Sequence, residues 1–164
     1  MIRKIFTMVT AFTLVICAGF ALAAETATPK EAKAKVEAAV KLLAEKGQAA
    51  FPLFRDRKGD FIWKDCYIVV GDLSGKLLLH PNAPKLEGTN MMKARDAKGN
   101  LFQVEMVGIA KKKGRGWMEY WWVNPATKKV TQKVSYIVRV PGRDWLALAG
   151  VWNMSKAQAE AAVQ

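Results

Sequence analysis

The side chains best equipped for chemistry in this chain crowd onto two consecutive strand-like runs, residues 116–123 and 129–140. Trp117, Tyr120, Trp121 and Trp122 fall within six residues of one another. A period of two sends Trp117, Glu119 and Trp121 to one side and Met118, Tyr120 and Trp122 to the other. So many rings either pack a core or wall a cavity. In a cavity, the Tyr120 hydroxyl and the Trp122 indole N–H would donate to a ligand's oxygens, because a buried donor needs a partner. On the next run Lys133, Ser135, Ile137 and Arg139 alternate with Val134, Tyr136, Val138 and Val140, and the second set makes the core face. Lys133 is either a solvated strand end or a point charge at a pocket mouth, suited to a carboxylate. Aromatic shape beside one cation points to recognition of a small anion, not to bond-making.

Catalytic and metal chemistry find little footing. His80 is the sole histidine, and imidazole- or thiolate-binding metals need several such ligands. Cys66 within D-C-Y-I-V-V reads as a buried small hydrophobe. No motif pairs it with His80 as nucleophile and base. Before Pro81, His80 is placed to hydrogen-bond a loop carbonyl or a ligand oxygen. Asp56 and Asp60 read as turn carboxylates, and Glu105 and Glu119 lack an acid–base mate. G-R-G at 114–116 follows a basic run but opens no helix, so it is not a phosphate cradle. No enzyme activity, cofactor or metal is expected.

The elements that must position these residues are legible in outline. Thr28-Pro29-Lys30-Glu31 announces a helix with a capping box. Ala32, Val36, Ala39, Val40 and Leu43 form its apolar stripe, and Gly47 ends it. A short second helix is expected over 48–54, and a short strand over 61–63. Residues 67–70 and 76–80 read as a hairpin around G-D-L-S-G, closed by Pro81. A long connection over 81–98 leads to a helix over 101–112, carried by Val104, Val107 and Ile109 or by Phe102 and Met106. Strands at 116–123, 129–140 and 144–152 follow, with turns at Asn124-Pro125 and Pro141-Gly142. The order is helix, two strands, a helical crossover and three antiparallel strands. The expected class is α+β, with a PAS-like antiparallel sheet of about five strands and a long N-terminal helix.

Composition sets the compartment. Arg3 and Lys4 precede an apolar run that ends in Ala21-Leu22-Ala23, which reads as a signal peptide over 1–23 cleaved between Ala23 and Ala24; the rival reading is an uncleaved anchor, because residues 5–24 come close to the ~20 that span a bilayer. Residues 24–27 are expected to be a disordered mature N-terminus, 28–154 a single domain and 155–164 a frayed tail. After cleavage no membrane span remains, and the location is periplasmic or secreted. The chain carries 26 Lys plus Arg against 14 Asp plus Glu, a formal charge of +12, which attracts anions. An exported protein rarely meets nucleic acid, so none is expected as partner. The cluster Lys111-Lys112-Lys113-Gly114-Arg115 reads as a solvated turn.

In order, G-Q-A-A-F-P-L-F and K-G-D-F (47–61), D-C-Y-I-V-V-G-D-L-S-G-K-L-L-L-H-P (65–81), L-E-G-T-N (86–90) and D-A-K-G-N-L-F (96–102) stand ahead of the aromatic strand. G-W-M-E-Y-W-W-V-N-P (116–125), K-V-S-Y-I-V-R-V (133–140) and D-W-L-A-L-A-G-V-W (144–152) complete the set. Together they resemble the single Cache domain of type 2, the PAS-like extracellular sensor module of bacterial chemoreceptors and histidine kinases. The resemblance implies a cavity under the helical crossover that takes a small organic acid. By position it assigns His80, Tyr120, Trp122, Lys133 and Tyr136 to that cavity, and Asn90 and Met92 to the loop that closes it. It also implies a membrane receptor or kinase as the partner that transmits the signal. Such receptors continue into a second membrane segment, whereas this chain ends about a dozen residues after Trp152; the expectation is a stand-alone binding domain for a small anionic metabolite. The competing expectation is a cationic envelope-associated protein that holds acidic polymers, lipid headgroups or a partner protein by surface charge.

Overall fold

The computed structural model describes residues 25–124 and 127–164. The expected signal peptide, its cleavage site and the proline of the Asn124-Pro125 turn lie outside them. The first helix, α1, spans Pro29–Lys46. Its start follows the sequence: the Glu31 amide donates to Thr28 Oγ1 at 3.2 Å, and the Thr28 amide donates to Glu31 Oε2 at 2.8 Å. Gly47 takes φ +58° and ends it. A 3-10 turn at Gly47–Ala50 leads into α2, Phe51–Arg55.

The β part contains two sheets. Short strands β1 (Ile62–Trp63) and β2 (Cys66–Tyr67) pair with each other. Strands β3 (Val69–Asp72), β4 (Leu77–Leu79), β5 (Arg115–Val123), β6 (Val130–Arg139) and β7 (Trp145–Trp152) build the main sheet in the order β4-β3-β7-β6-β5, all antiparallel. This is the PAS-like α+β arrangement expected. The apolar run 67–70 divides between the sheets, because the Ile68 amide turns to the Phe61 carbonyl at 3.1 Å. Helix α3, Phe102–Lys113, crosses over from β4 to β5.

Each face of the main sheet has its own cover. On one side α1 lays Val36, Val40 and Leu43 against Val134, Val138, Ala147 and Val151. Fully burying a Val or Leu side chain is worth ~1.5–3 kcal/mol, so this stripe anchors the sheet. On the other side α3 buries Phe102, Gln103, Met106, Val107 and Ala110 over Met118, Ile137 and Leu148. Of the two stripes considered for this helix, the one through Phe102 and Met106 faces inward, while Val104 is 42% exposed.

Both ends of the described residues are tied to the body of the fold. Ala27 is buried, and its amide donates to Asp65 Oδ1 at 2.7 Å, so the stretch before α1 is tied to the β1–β2 turn region. At the C-terminus α4 (Lys156–Ala161) is capped by a Ser155–Gln158 box, its first amide donates to Glu119 Oε2 at 2.8 Å, and Ala159 is fully buried. That segment packs on β5. No helix among the described residues is long and apolar enough to cross a membrane.

Candidate functional site

Strand parity decides which side chains meet beneath α3. The pairs Tyr120↔Lys133 and Lys133↔Trp152 lie side by side across β5, β6 and β7, and Met118↔Ser135↔Gly150 form the next row on the same face. Between this face and α3 with its preceding loop lies a cavity of about 50 Å³. A single water needs roughly 10–15 Å³ on this measure, so the space suits a molecule of a few heavy atoms. Lys133, Tyr120, Trp122 and His80 line it together with Phe102 and Met106 of α3. The rings interlock: Phe102 stacks on Tyr120 at 5.5 Å and meets Trp122 at 5.2 Å.

Lys133 sets the electrostatics. It is 4% exposed, yet among the described residues it pairs with no carboxylate. Its Nζ stands 5.0 Å from the Tyr67 ring centroid and 4.6 Å from that of Trp152. Burial, the largest influence, works against the charge; the neighbouring Tyr120, Tyr67 and Cys66 side chains, with a hydrogen bond to Tyr67, work for it, and the net direction is a pKa above the usual lysine value. The site therefore keeps a proton and lacks a counter-anion. Cation–π contacts contribute about 0.5–2 kcal/mol and do not offset the cost of burying an ammonium.

His80 also lines the cavity. Its Nδ1 is buried without a hydrogen-bond partner among the described residues. Burial, reinforced by the Lys133 charge, pushes its pKa down to about 4. The ring is neutral at pH 7 and can offer a ligand one donor or one acceptor. Its position is fixed through the backbone: the His80 amide donates to Glu87 Oε1 at 2.8 Å, and Arg55 grips the same carboxylate with both terminal nitrogens at 2.7 Å. Tyr120 and Ser135 share a hydroxyl–hydroxyl bond of 3.2 Å. The Cys66 thiol donates to the Gly150 carbonyl at 3.3 Å, and burial pushes its pKa up to about 12, so no thiolate forms near neutral pH. Among the described residues, no group of His, Cys, Asp or Glu is placed to hold a metal.

Of the residues assigned by resemblance, Tyr136, Asn90 and Met92 are not in the cavity lining, though Asn90 and Met92 are on the loop beside it. Tyr136 does not line the cavity; an odd offset from Lys133 and Ser135 puts it on the α1 face, where it packs on Trp117 at 5.0 Å and donates to Glu37 Oε1 at 3.4 Å. Alternation alone had placed it there, with Val134 and Val138. Asn90 is spent on the loop itself, donating to the Ser74 carbonyl at 3.0 Å and accepting from the Met92 amide at 3.0 Å. Met92 packs beside the α3-side core, while Leu86 and Met91 are the loop residues that reach the cavity. Gln103 was missed. It is a buried amide, 6% exposed, in the cavity lining, and the only signal for it was a polar residue inside the apolar stripe of α3.

Comparison with known proteins fits this geometry. The Single Cache domain 2 family profile matches residues 10–163. The chain belongs to that family. This Cache domain is 33% identical over 100 residues to the methyl-accepting chemotaxis protein McpP of Pseudomonas putida, covering 61% of this chain and 18% of McpP. It is 30% identical over 89 residues to the sensor histidine kinase MctS of Rhizobium johnstonii, covering 54% of this chain and 19% of MctS. The chain thus spans about a fifth of the length of these relatives. A solved Cache chemosensory domain, described for its recognition of carboxylic acids, superposes with a TM-score of 0.61 at 25% identity over 77% of this chain and 88% of that one.

Proposed function

We propose that this Cache domain senses a short organic acid on the outer side of a membrane. The acid enters the cavity between α3 and the main sheet and supplies the counter-charge that Lys133 lacks. The observation that carries this reading is the buried, carboxylate-free Lys133 in the lining of an aromatic chamber. A carboxylate there gains a charge-assisted hydrogen bond in a poorly hydrated site, the stronger class of such bonds. His80 Nδ1 and the Tyr120 hydroxyl supply the remaining polar contacts, and Phe102, Met106 and Trp122 cover a short carbon tail. The small volume favours two to four heavy atoms beyond the carboxylate at most, and a single cation favours a monoanion. A carboxylic-acid-recognising Cache domain among the solved relatives supports the ligand class. Relatives that are a chemotaxis receptor and a sensor kinase support a signalling partner of that kind.

Calorimetric titration with acetate, propionate, pyruvate and lactate tests it. At least one should bind with about 1:1 stoichiometry, and no heat from any of them at millimolar concentration would refute the reading. A second reading, binding of acidic polymers by surface charge, draws on a separate open groove where Lys41, Lys113, Arg115 and Arg139 face one carboxylate, Glu37. Salt separates the two. Pocket binding persists at a few hundred millimolar salt, whereas exposed charge contacts are screened beyond a Debye length of about 10 Å at 0.1 M and weaken steeply.

A further inference from the structure

We infer that Gly150 is a positioning residue for the pocket's cation: the absent side chain at this strand position is what lets Lys133 fold across β7 and hold its ammonium against Tyr67 and Trp152. This rests on reading the cavity as an anion site. Gly150 lies in the interior of β7, opposite Ser135, one row from the Lys133↔Trp152 pair. Its φ lies outside the left-handed region, so the backbone there does not require glycine. Glycine inside a strand weakens it, and its presence points to close approach by another group.

That group is visible. A Cβ at position 150 would stand 2.6 Å from Lys133 Cε and 3.0 Å from the Val134 carbonyl oxygen, and closer still to Ser135 Oγ. Neither neighbour moves freely. Ser135 Oγ is bonded to the Tyr120 hydroxyl at the cavity wall. Lys133 Cε carries the ammonium, so any retreat of Cε moves the charge. The Gly150 carbonyl is also held by the Cys66 thiol, which limits escape of the strand itself. A methyl group at this position therefore displaces the cation that a carboxylate would meet, and with Ser135 in place it also presses on the Ser135–Tyr120 pair. Gly150 touches no ligand in this scheme; it acts through Lys133.

The test uses Gly150→Ala and the double variant Gly150→Ala with Ser135→Ala, which removes the Ser135 Oγ contact but keeps the Lys133 one. Propionate affinity is measured by calorimetry, against Ser135→Ala as the reference for the double variant, and the Lys133 ammonium is followed by its 15N–1H NMR signal. The expected result is a folded double variant that binds propionate about tenfold or more weakly than Ser135→Ala, the scale of a disturbed hydrogen bond to a charged group. The Lys133 signal should also shift away from its wild-type position. Recovery of full affinity in the double variant, or an unmoved Lys133 signal, overturns the inference. So does unfolding of both variants, since glycine is then needed for packing. If wild-type protein binds none of acetate, propionate, pyruvate and lactate, the functional reading fails by itself, and the Lys133 signal in the variants still decides the role of Gly150.

Discussion

Replacing Lys133 by methionine separates binding from stability. The ammonium is buried without a carboxylate partner among the described residues, and substituting such a charge with an apolar side chain of similar length commonly stabilises a fold by about 1–3 kcal/mol. Lys133→Met should therefore raise the ligand-free unfolding midpoint while abolishing carboxylate binding, as read by denaturant melts and calorimetry on the same sample. A lower midpoint would mean that the ammonium is satisfied within the protein. His80 gives a pH signature of its own. Its pKa falls from an ordinary 6.5 to about 4 on folding, so between those values the unfolded chain binds more protons and stability rises with pH. The contribution is complete above about pH 6.5 and is lost as pH drops towards 4, roughly 2–3 kcal/mol across the window. In melts at pH 4.5 and 7, His80→Gln should show a smaller loss on acidification than wild type; equal losses would contradict a buried neutral imidazole. These two residues were legible in the sequence because a lone Lys on an apolar strand and a lone His before proline stand out by type. Gln103 and Gly150 were not, because their roles come from what packs against them.

Asp96 ties the loop ahead of the crossover helix to the main sheet. Asp96 accepts from the Lys98 and Asn100 amides at 2.9 Å each, from Asn100 Nδ2 at 3.0 Å, and from the Trp121 amide at 3.1 Å across to β5. Its pKa is lowered: burial opposes this, and the Asn100, Trp121 and Lys98 hydrogen bonds prevail. Asp96→Ala should cost about 2–3 kcal/mol, the scale of losing a charged acceptor that leaves amides unpaired. Hydrogen exchange should quicken at the Trp121 amide and across the loop, and an unchanged Trp121 rate would refute the tether. Elements of this kind explain what the sequence showed and hid. Helix α1 could be bounded to the residue because Thr28, Glu31 and Gly47 are local signals. Strand parity correctly turned Tyr136 away from the cavity, and positional resemblance misplaced it. The division of 66–72 between two sheets and the docking of α4 through Glu119 and Ala159 depend on contacts far along the chain, which no local pattern carries.

At the scale of the whole molecule, one sheet separates two different environments. The α1 side is a packed apolar core, and the α3 side keeps a cavity with Lys133 in its lining. The net charge of +12 raises the local anion concentration and speeds encounter, an effect that salt screens, while the depth of Lys133 protects the bound pair from the same screening. Occupancy should therefore stabilise the entire fold: at ~100 times the dissociation constant a ligand adds about 2.7 kcal/mol, measurable as a raised unfolding midpoint. The decisive measurement is a crystal structure grown with propionate at saturating concentration. Density for the acid is expected between α3 and the main sheet, with a carboxylate oxygen within hydrogen-bond distance of Lys133 Nζ. An unoccupied cavity, or an acid bound with its carboxylate turned away from Lys133, would contradict it.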